Sequence, residues 1–440
     1  MREMKDSGVE WIGEVPREWQ LLRFKDKYIN KKEIAKERAL EYERLALTLN
    51  GVIKRPKNDS EGLQPKEFDG YQIIEVNDFV FKMIDLQNIG TSRVGLSPYR
   101  GLVSPAYIRF SSKNTNQYNQ FVYYYLMSLY YNQVFNNLGG NGVRSALNAK
   151  DMGEFLVPYP AENEQIRICS CLDKKIIQVD TLIRNVRTQI EKLKAYKQSL
   201  ITEVVTKGLD PTVPMKDSGV DYLGRIPIGW SIISIGQAFI YVGGFAFKSE
   251  LFSIDKTKYQ VLRIGNVKND NLILDNKQIY IDESSAEFAK SAKVRPDDIL
   301  FTMTGTKGKQ DYFYTVLVNE KHMVNKHLFI NQRVGIFRQR SNRIKMSFAN
   351  YILKEKRILD YIFLSETGTA NQGNLGIENI ARTKLYLPSL EEQEEIVIYL
   401  DKKSSQIDRL IAIKQAKIEK LEQYKRSLIY EYVTGKKEVV

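Results

Sequence analysis

Two long stretches of the chain carry apolar residues at alternating spacings of three and four positions, which is the pattern of a coiled-coil seam. In the first stretch the seam residues are Ile176, Val179, Ile183, Val186, Ile190, Leu193 and Leu200. In the second stretch they are Ile407, Ile411, Ile418, Leu421 and Leu428. Lys197 and Lys425 interrupt the two series at matching places, as polar residues that fix helix register do.

Neither stretch contains proline or glycine between residues 164 and 207 or between 391 and 434. The sequence therefore predicts two single helices, each about 65 Å long at about 1.5 Å per residue. A lone helix cannot bury such a stripe, so we expect the two to pack antiparallel about a pseudo-two-fold axis. The alternative is that each helix docks on its own neighbouring domain.

The same plan occurs twice along the chain. Residues 4–19 and 215–230 share nine of sixteen positions, and residues 160–206 and 388–434 share 24 of 47 without a gap. The two segments that lie between these repeats show little sequence similarity to each other. We expect a variable domain over 1–157, a helical region over 158–214, a second variable domain over 215–387 and a second helical region over 388–440.

The variable segments are typical of mixed α and β structure. In the first, β-branched and aromatic residues predict strands over 71–76, 78–85 and 106–110, and a helix over 117–136. In the second they predict strands over 259–267, 297–306 and 322–338, and a helix over 347–364. The expected fold class is α+β: two mixed domains, separated by two long antiparallel coiled-coil helices.

Charge separates the variable domains from the repeated parts. The 440 residues carry a net charge of +13. Residues 20–157 contribute +5 and residues 231–387 contribute +8, so the repeated segments sum to zero. Two basic lobes joined by near-neutral helices indicate a nucleic-acid partner. Each lobe ends in a Gly- and Asn-rich loop, residues 139–144 and residues 368–374. Such a loop either contacts phosphates and bases closely or is an ordinary surface loop.

Catalytic and metal-binding motifs are missing from the sequence. It has no GxxxxGK[ST], GxGxxG, HExxH or GxSxG pattern. Cys169 and Cys171 are too few for a zinc site, and we expect no metal and no cofactor in this chain. Asp297 and Asp298 are interpreted as a turn before a strand rather than a nuclease carboxylate pair, and His327 as structural rather than phosphate-binding. No apolar run suits a signal peptide or membrane span, so we expect a cytoplasmic protein without a membrane partner.

The repeated motifs resemble those of a known family. SGVEWIGEVPREW and SGVDYLGRIPIGW resemble the entries to the target recognition domains of type I restriction-modification specificity subunits. The Glu-Gln pairs that lead into the LDKK, IEKL and YKxSLI segments resemble that family's helical regions. The signatures of that family's recognition domains resemble five further segments. These are GGFAFKSELF, VLRIGNV and DDILFTMTGT in the second lobe, and DFVFKMID and GLVSPAY in the first. The resemblance covers nearly the whole chain.

The resemblance implies a non-catalytic, DNA-binding subunit. Each recognition domain would read one half of an asymmetric bipartite site in double-stranded DNA, and the helical pair would set the spacing and dock two methyltransferase subunits. S-adenosylmethionine, ATP and magnesium would belong to those partners and to restriction and translocase subunits. An adaptor protein whose basic lobes bind other proteins is the alternative of a different class, and an autonomous nuclease is a third.

Residue type and loop position suggest which side chains contact DNA. Lys and Arg neutralise phosphates, and a few polar side chains read base edges. In the first lobe the candidates are Lys82, Arg93, Arg100, Ser104, Tyr107 and Arg144. In the second lobe they are Lys248, Arg263, Asn266, Thr304, Lys307, Lys309 and Gln372.

Overall fold

The chain folds into two compact units that divide both long helices between them. The computed structural model describes residues 2–49, 51–58, 67–84, 86, 93–114, 117–138, 146–369 and 372–439. One unit comprises residues 1–188 and 414–440, and the other comprises residues 189–413. Each unit thus contains one variable domain and a part of both helices.

The first unit begins with a short hairpin and continues into a mixed domain before the first long helix. Its strands are β1 Met4–Asp6, β2 Glu14–Pro16, β3 Gln20–Arg23, β4 Tyr28–Asn30, β5 Leu45–Thr48, β6 Gly51–Lys54, β7 Gln72–Ile74, β8 Phe79–Phe81, β9 Val94–Leu96, β10 Gly101–Val103, β11 Ile108–Ser112 and β12 Leu156–Tyr159. Its helices are α1 Phe24–Lys27, α2 Gln120–Tyr131, α3 Val134–Leu138, α4 Ala149–Gly153 and the start of α5, Glu162–Lys207.

The second unit follows the same order after α5. Its strands are β13 Met215–Asp217, β14 Arg225–Pro227, β15 Ser231–Ser234, β16 Phe239–Gly243, β17 Tyr259–Leu262, β18 Val267–Lys268, β19 Asn271–Leu272, β20 Ile299–Thr302, β21 Thr304–Gly305, β22 Thr315–Leu317, β23 His327–Ile330, β24 Val334–Gln339, β25 Glu366–Thr369, β26 Gln372–Leu375 and β27 Lys384–Leu387. Its helices are α6 Ile235–Ala238, α7 Glu283–Phe288, α8 Met346–Ile352, α9 Lys356–Phe363, α10 Ile377–Arg382 and the start of α11, Leu390–Val433.

Each variable domain contains a four-stranded sheet of the same topology, although the two sequences look unrelated over most of their length. The first has a four-stranded antiparallel sheet in the order β4-β11-β8-β9, and the second has one in the order β16-β24-β20-β22. The two domains therefore share a topology that their sequences do not reveal. The sheet tolerates this divergence because it requires buried apolar residues rather than particular ones.

A buried ion pair anchors the sheet of the first unit at the turn before β8. Asn77 has a left-handed backbone, with φ of 65°, and Asp78 follows it. The Asp78 carboxylate accepts a hydrogen bond from Glu75 N at 2.7 Å and from Arg109 Nε at 2.6 Å. Both charged side chains are almost fully buried, at 4% and 3% exposed.

The second unit repeats this turn and its ion pair before β20. Asp297 takes the left-handed position with φ of 65°. The Asp298 carboxylate accepts hydrogen bonds from Arg295 N at 2.8 Å and from Arg338 Nε and Nη2 at 2.9 and 2.7 Å. This confirms that Asp297 and Asp298 form a turn, and it shows why an acidic residue begins the strand in both domains.

The long helices are continuous, as predicted, and they pair antiparallel within each unit. In the first unit, the Cys171 Sγ lies 3.6 Å from Tyr432 Oη, and Arg187 NH2 lies 3.3 Å from Glu422 Oε1, so rising numbers on α5 meet falling numbers on α11. In the second unit Ile201 and Leu400 belong to one apolar core. The proposed seam residues are all buried or half-buried in these units.

Matching contacts show that the repeat extends to side-chain pairs. Lys425 Nζ contacts Asp180 at 2.8 Å in the first unit, and Lys197 Nζ contacts the equivalent Asp408 at 2.7 Å in the second. The indole nitrogens of the repeated tryptophans, Trp19 and Trp230, donate to Glu164 and Glu392, which are also equivalent. The helices are thus attached to both variable domains in the same way.

The predicted single helix over 347–364 is wrong, because α8 and α9 are separate. α8 ends at Ile352, and the buried Glu355 begins α9 by accepting a hydrogen bond from Ile358 N at 3.1 Å. Among the described residues, no helix combines the length and the apolar character needed to cross a bilayer.

Candidate nucleic-acid interface

A small three-stranded sheet in the second unit brings together four of the predicted DNA-contact residues. β21 pairs with β26, which pairs with β25, so Thr304 faces Asn374 and Thr369 faces Gln372. This sheet places the loop after β21 beside the β25–β26 hairpin, although about sixty residues separate them in sequence. We call residues 304–311, 366–369 and 372–375 the platform. Thr304, Lys307, Lys309 and Gln372 lie on it.

Glu366 organises the platform. Its two carboxylate oxygens accept hydrogen bonds from Gly308 N at 2.9 Å and from Tyr312 Oη at 2.8 Å. A Cβ on Gly373 would lie only 2.2 Å from Glu366 Oε1, so a larger residue there would displace the carboxylate from its hydrogen bonds. Burial, and secondarily the Glu366 carboxylate, raise the pKa of Tyr312, so its hydroxyl stays protonated and remains a donor.

The outer surface of the platform is cationic and polar. The Lys307 ammonium donates to Gly368 O at 3.0 Å, which fixes the loop to the hairpin. Lys307, Lys309 and Gln372 are all exposed. Hydrogen bonds from the Thr306 side chain and backbone lower the pKa of Asp311. This carboxylate therefore stabilises the turn after β21. Such a surface can neutralise phosphates and present an amide to base edges.

The other three candidates of the second unit lie on different elements. Lys248 is exposed ahead of a single helical turn. Arg263 is half-buried after β17. Asn266 is 5% exposed, and its amide accepts from Arg263 N at 2.8 Å and donates to Ile273 O at 2.8 Å. Because both ends of the Asn266 amide already hold the backbone, the structure argues against Asn266 as a base-reading residue.

Arg93 in the first unit is likewise an internal residue. It is fully buried, and its guanidinium donates to Leu86 O at 2.9 Å. A side chain without exposed surface cannot contact DNA in this conformation, so its prediction as a DNA contact is corrected. Lys82 is half-buried beside it, and Arg144 lies outside the described residues.

The remaining candidates of the first unit lie on either side of β10. Arg100 is exposed, 2.9 Å from Glu75 and with its guanidinium 5.0 Å from the centre of the Tyr42 ring. Ser104 and Tyr107 belong to one turn, and the buried Gln72 holds both of their carbonyls, at 3.0 and 2.6 Å. Gln72 therefore positions this turn.

A basic and aromatic surface around the β5–β6 hairpin was not among the predicted residues. Lys54 lies 5.1 Å from the centre of the Tyr99 ring, and Lys57 lies 6.0 Å from that of Phe68. Arg38 shares the Tyr42 ring with Arg100 at 5.4 Å. The run of cations in KRPK, residues 54–57, was a visible signal for this surface. Within the described residues, no cluster of three or more potential metal ligands occurs.

The fold and these surfaces define a class of protein: a chain with two structurally similar lobes that carry basic surfaces, each packed against parts of a duplicated helical scaffold. Residues 20–192 and 227–423 match the type I restriction modification DNA specificity domain. This match covers most of the chain, which belongs to that family. Members of the family are the DNA-recognising, non-catalytic subunits of restriction-modification systems, so this chain is not itself an enzyme.

Individual relatives agree over long alignments. The type I restriction enzyme MjaVIII specificity subunit of Methanocaldococcus jannaschii is 24% identical over 96% of this chain and 93% of its own length. The EcoBI specificity subunit of Escherichia coli is 24% identical over 68% of this chain and 63% of its own length. A solved chain from a study of complex assembly and conformational transition of the type I R-M system has the same fold, with a TM-score of 0.66 over 95% of this chain and 98% of that chain, at 15% identity.

Proposed function

We propose that this chain selects an asymmetric, bipartite DNA site and that each variable domain reads one half of it. Residues 1–157 form the first recognition domain and residues 215–387 the second, each opening with the repeated short motif. The observation that carries the proposal is the platform, where exposed lysines and an amide stand on a sheet held by Glu366. The basic surface around the β5–β6 hairpin supports the same role for the first domain.

The helical regions, residues 158–214 and 388–440, set the number of base pairs between the two half-sites in this proposal. The reciprocal pairs Lys197–Asp408 and Lys425–Asp180 support it, because they hold α5 and α11 in one register. The same helices dock two methyltransferase subunits, which bind S-adenosylmethionine and methylate adenine. Restriction and translocase subunits supply ATP- and magnesium-dependent chemistry, and the complex acts on DNA in the cytoplasm.

Methylome sequencing identifies the target. A host that carries this chain and its methyltransferase should show methylated adenines in one split sequence with a fixed gap. The absence of any bipartite methylated sequence would contradict the proposal. That target then serves as the duplex in binding measurements.

The variant Lys307→Glu/Lys309→Glu tests the platform. Two reversed charges should weaken binding of the target duplex by the chain–methyltransferase complex at least about tenfold, and should lower the salt dependence of log K by about two. The matched control is Lys256→Glu/Lys321→Glu, which reverses two exposed lysines elsewhere in the same domain. Equal losses in both variants would show a diffuse charge effect and would reject the platform as the contact surface.

A further inference from the structure

The first unit contains a cleft of about 590 Å³ where α2 meets the two long helices. Met127 and Ile183 contribute apolar surface to it, and Tyr130 and Tyr131 contribute aromatic rings. Its cationic residues are Arg184, Arg187, Lys425 and Arg426. We call this the arginine cleft.

The arginine cleft carries more positive than negative charge. Its two acids, Asp180 and Glu422, are paired with Lys425 at 2.8 Å and with Arg187 at 3.3 Å. The Arg426 guanidinium lies 5.5 Å from the centre of the Tyr131 ring, which orients it. Four cations thus face two acids around a partly apolar concavity.

The duplication shows that the arginines of this cleft are not common to both copies of the scaffold. Where the first unit has Arg184, Arg187 and Arg426, the equivalent positions of the repeat are Ala412, Gln415 and Gln198. The helical copies are otherwise identical at half of their positions, including the Lys–Asp register pairs. Three arginines therefore distinguish one copy of a duplicated surface.

The corresponding cleft of the second unit lacks the net positive charge of the arginine cleft. It measures about 670 Å³, and α8 takes the place of α2. Its acids are Asp270, Asp401 and Asp408, and its cations are Lys197 and Arg409. Because the Lys354 ammonium also pairs with Asp270, acids and cations balance there, and an anionic partner that fits the first cleft gains no net attraction at the second.

We propose that the arginine cleft receives an acidic segment of a partner subunit, with carboxylates on the arginines and an apolar side chain against Met127 and the tyrosines. The inference rests on the proposed assembly with a methyltransferase. Arginine pairs with carboxylates bidentately, and Arg and Tyr in a concave patch are typical centres of protein interfaces. A concave, partly apolar floor favours a peptide side chain over a duplex backbone, which needs cations on an accessible rim.

One consequence is that the two helical regions present unequal docking surfaces. A subunit bound at the first unit gains the arginine contacts, whereas a subunit bound at the second does not. The two partner subunits should therefore bind with different affinities, although the scaffold is duplicated.

The test replaces the three arginines with the residues of the repeat: Arg184→Ala, Arg187→Gln and Arg426→Gln. Binding of the purified methyltransferase subunit to the full chain is measured by native mass spectrometry and calorimetry. We expect the tighter of the two binding steps to weaken about tenfold or more and the other to stay unchanged. The control, Lys192→Gln/Lys417→Gln/Lys420→Gln, removes three charges from exposed positions on the same helices.

The possible outcomes distinguish failure of the cleft proposal from failure of the proposed assembly with a methyltransferase. Unchanged affinity in the triple variant, or an equal loss in the control, overturns the proposal. If the triple variant binds the methyltransferase subunit normally but binds the target duplex more weakly, the cleft is a DNA contact, and the proposal is also overturned. If the unaltered chain binds neither methyltransferase nor DNA, the proposed function itself fails. If the triple variant is unstable, the affinity of the methyltransferase subunit is measured with Arg184→Ala alone, which changes only an exposed residue.

Discussion

The Glu366 carboxylate joins the loop and the hairpin of the platform, alongside the hydrogen bond from Lys307 to Gly368 O. Replacing it with alanine leaves Gly308 N and the Tyr312 hydroxyl without their acceptor. We expect Glu366→Ala to reduce affinity for the target duplex about tenfold, because the lysines and Gln372 lose their fixed positions, and to cost about 1–3 kcal/mol of stability. Fluorescence anisotropy and urea unfolding measure the two effects.

Two further variants show whether Glu366 acts through position or charge. Glu366→Gln keeps an acceptor and should recover part of the affinity. Glu378→Ala removes an exposed glutamate from α10 in the same domain and should leave binding unchanged. A gain in affinity with Glu366→Ala would mean that the carboxylate repels DNA rather than positioning the loop.

The buried ion pair before β20 gives a prediction with a built-in control. Asp298→Asn leaves the Arg338 guanidinium facing a neutral partner in a low-dielectric site, and we expect a loss of about 3–5 kcal/mol. Asp297→Asn next to it should cost less than about 0.5 kcal/mol, since Asn77 occupies the same left-handed position in the first unit. Urea denaturation of both variants distinguishes the buried residue from its exposed neighbour.

Residue type alone could not separate contact residues from internal ones. Arg93 and Asn266 have the chemistry of DNA-reading side chains, yet the fold buries both and uses them to hold backbone groups. Lys307, Lys309 and Gln372 have the same chemistry and remain exposed. The difference depends on what packs above each residue, which local sequence does not determine.

At the scale of elements, the long helices were predictable because their apolar period and the absence of proline and glycine are local properties. The platform was not, since β21 pairs with β26 across about seventy residues and each strand is too short to give a pattern of its own. The common sheet of the two domains was missed for a similar reason: its strands are three to six residues long and fully buried strands do not alternate.

Register between the long helices is testable by charge exchange. Lys197→Asp should place like charges opposite each other at Asp408 and lower stability by about 1 kcal/mol, a modest value because the Asp408 side chain is 56% exposed. Adding Asp408→Lys should restore stability. Adding Asp180→Lys instead should worsen it, because Asp180 pairs with Lys425. Rescue by the wrong partner would contradict the assigned register.

At the scale of the whole molecule, each variable domain packs against parts of both long helices. The core that contains Trp19 and Phe121 also contains Leu428 and Ile429, close to the carboxyl terminus. The core of the second domain includes Ile201, which is the repeat equivalent of Ile429, together with Trp230. Each recognition domain is therefore completed by the helix that follows the other one. Because the first unit joins residues 1–188 to residues 414–440, a boundary drawn along the sequence cannot isolate the first domain, whereas the second unit is the continuous segment 189–413.

Matched substitutions in the two cores should act on different domains. Ile429→Ala and Ile201→Ala remove the same buried side chain, 2% and 6% exposed, and each should cost about 2–5 kcal/mol. We expect hydrogen exchange to accelerate in β8 and β11 for Ile429→Ala, and in β20 and β24 for Ile201→Ala, as measured by mass spectrometry. Each variant should weaken recognition of one half-site, seen as tolerance of base changes there and not in the other half. If Ile429→Ala accelerated exchange only in the second domain, the division of α11 between the two cores would be wrong.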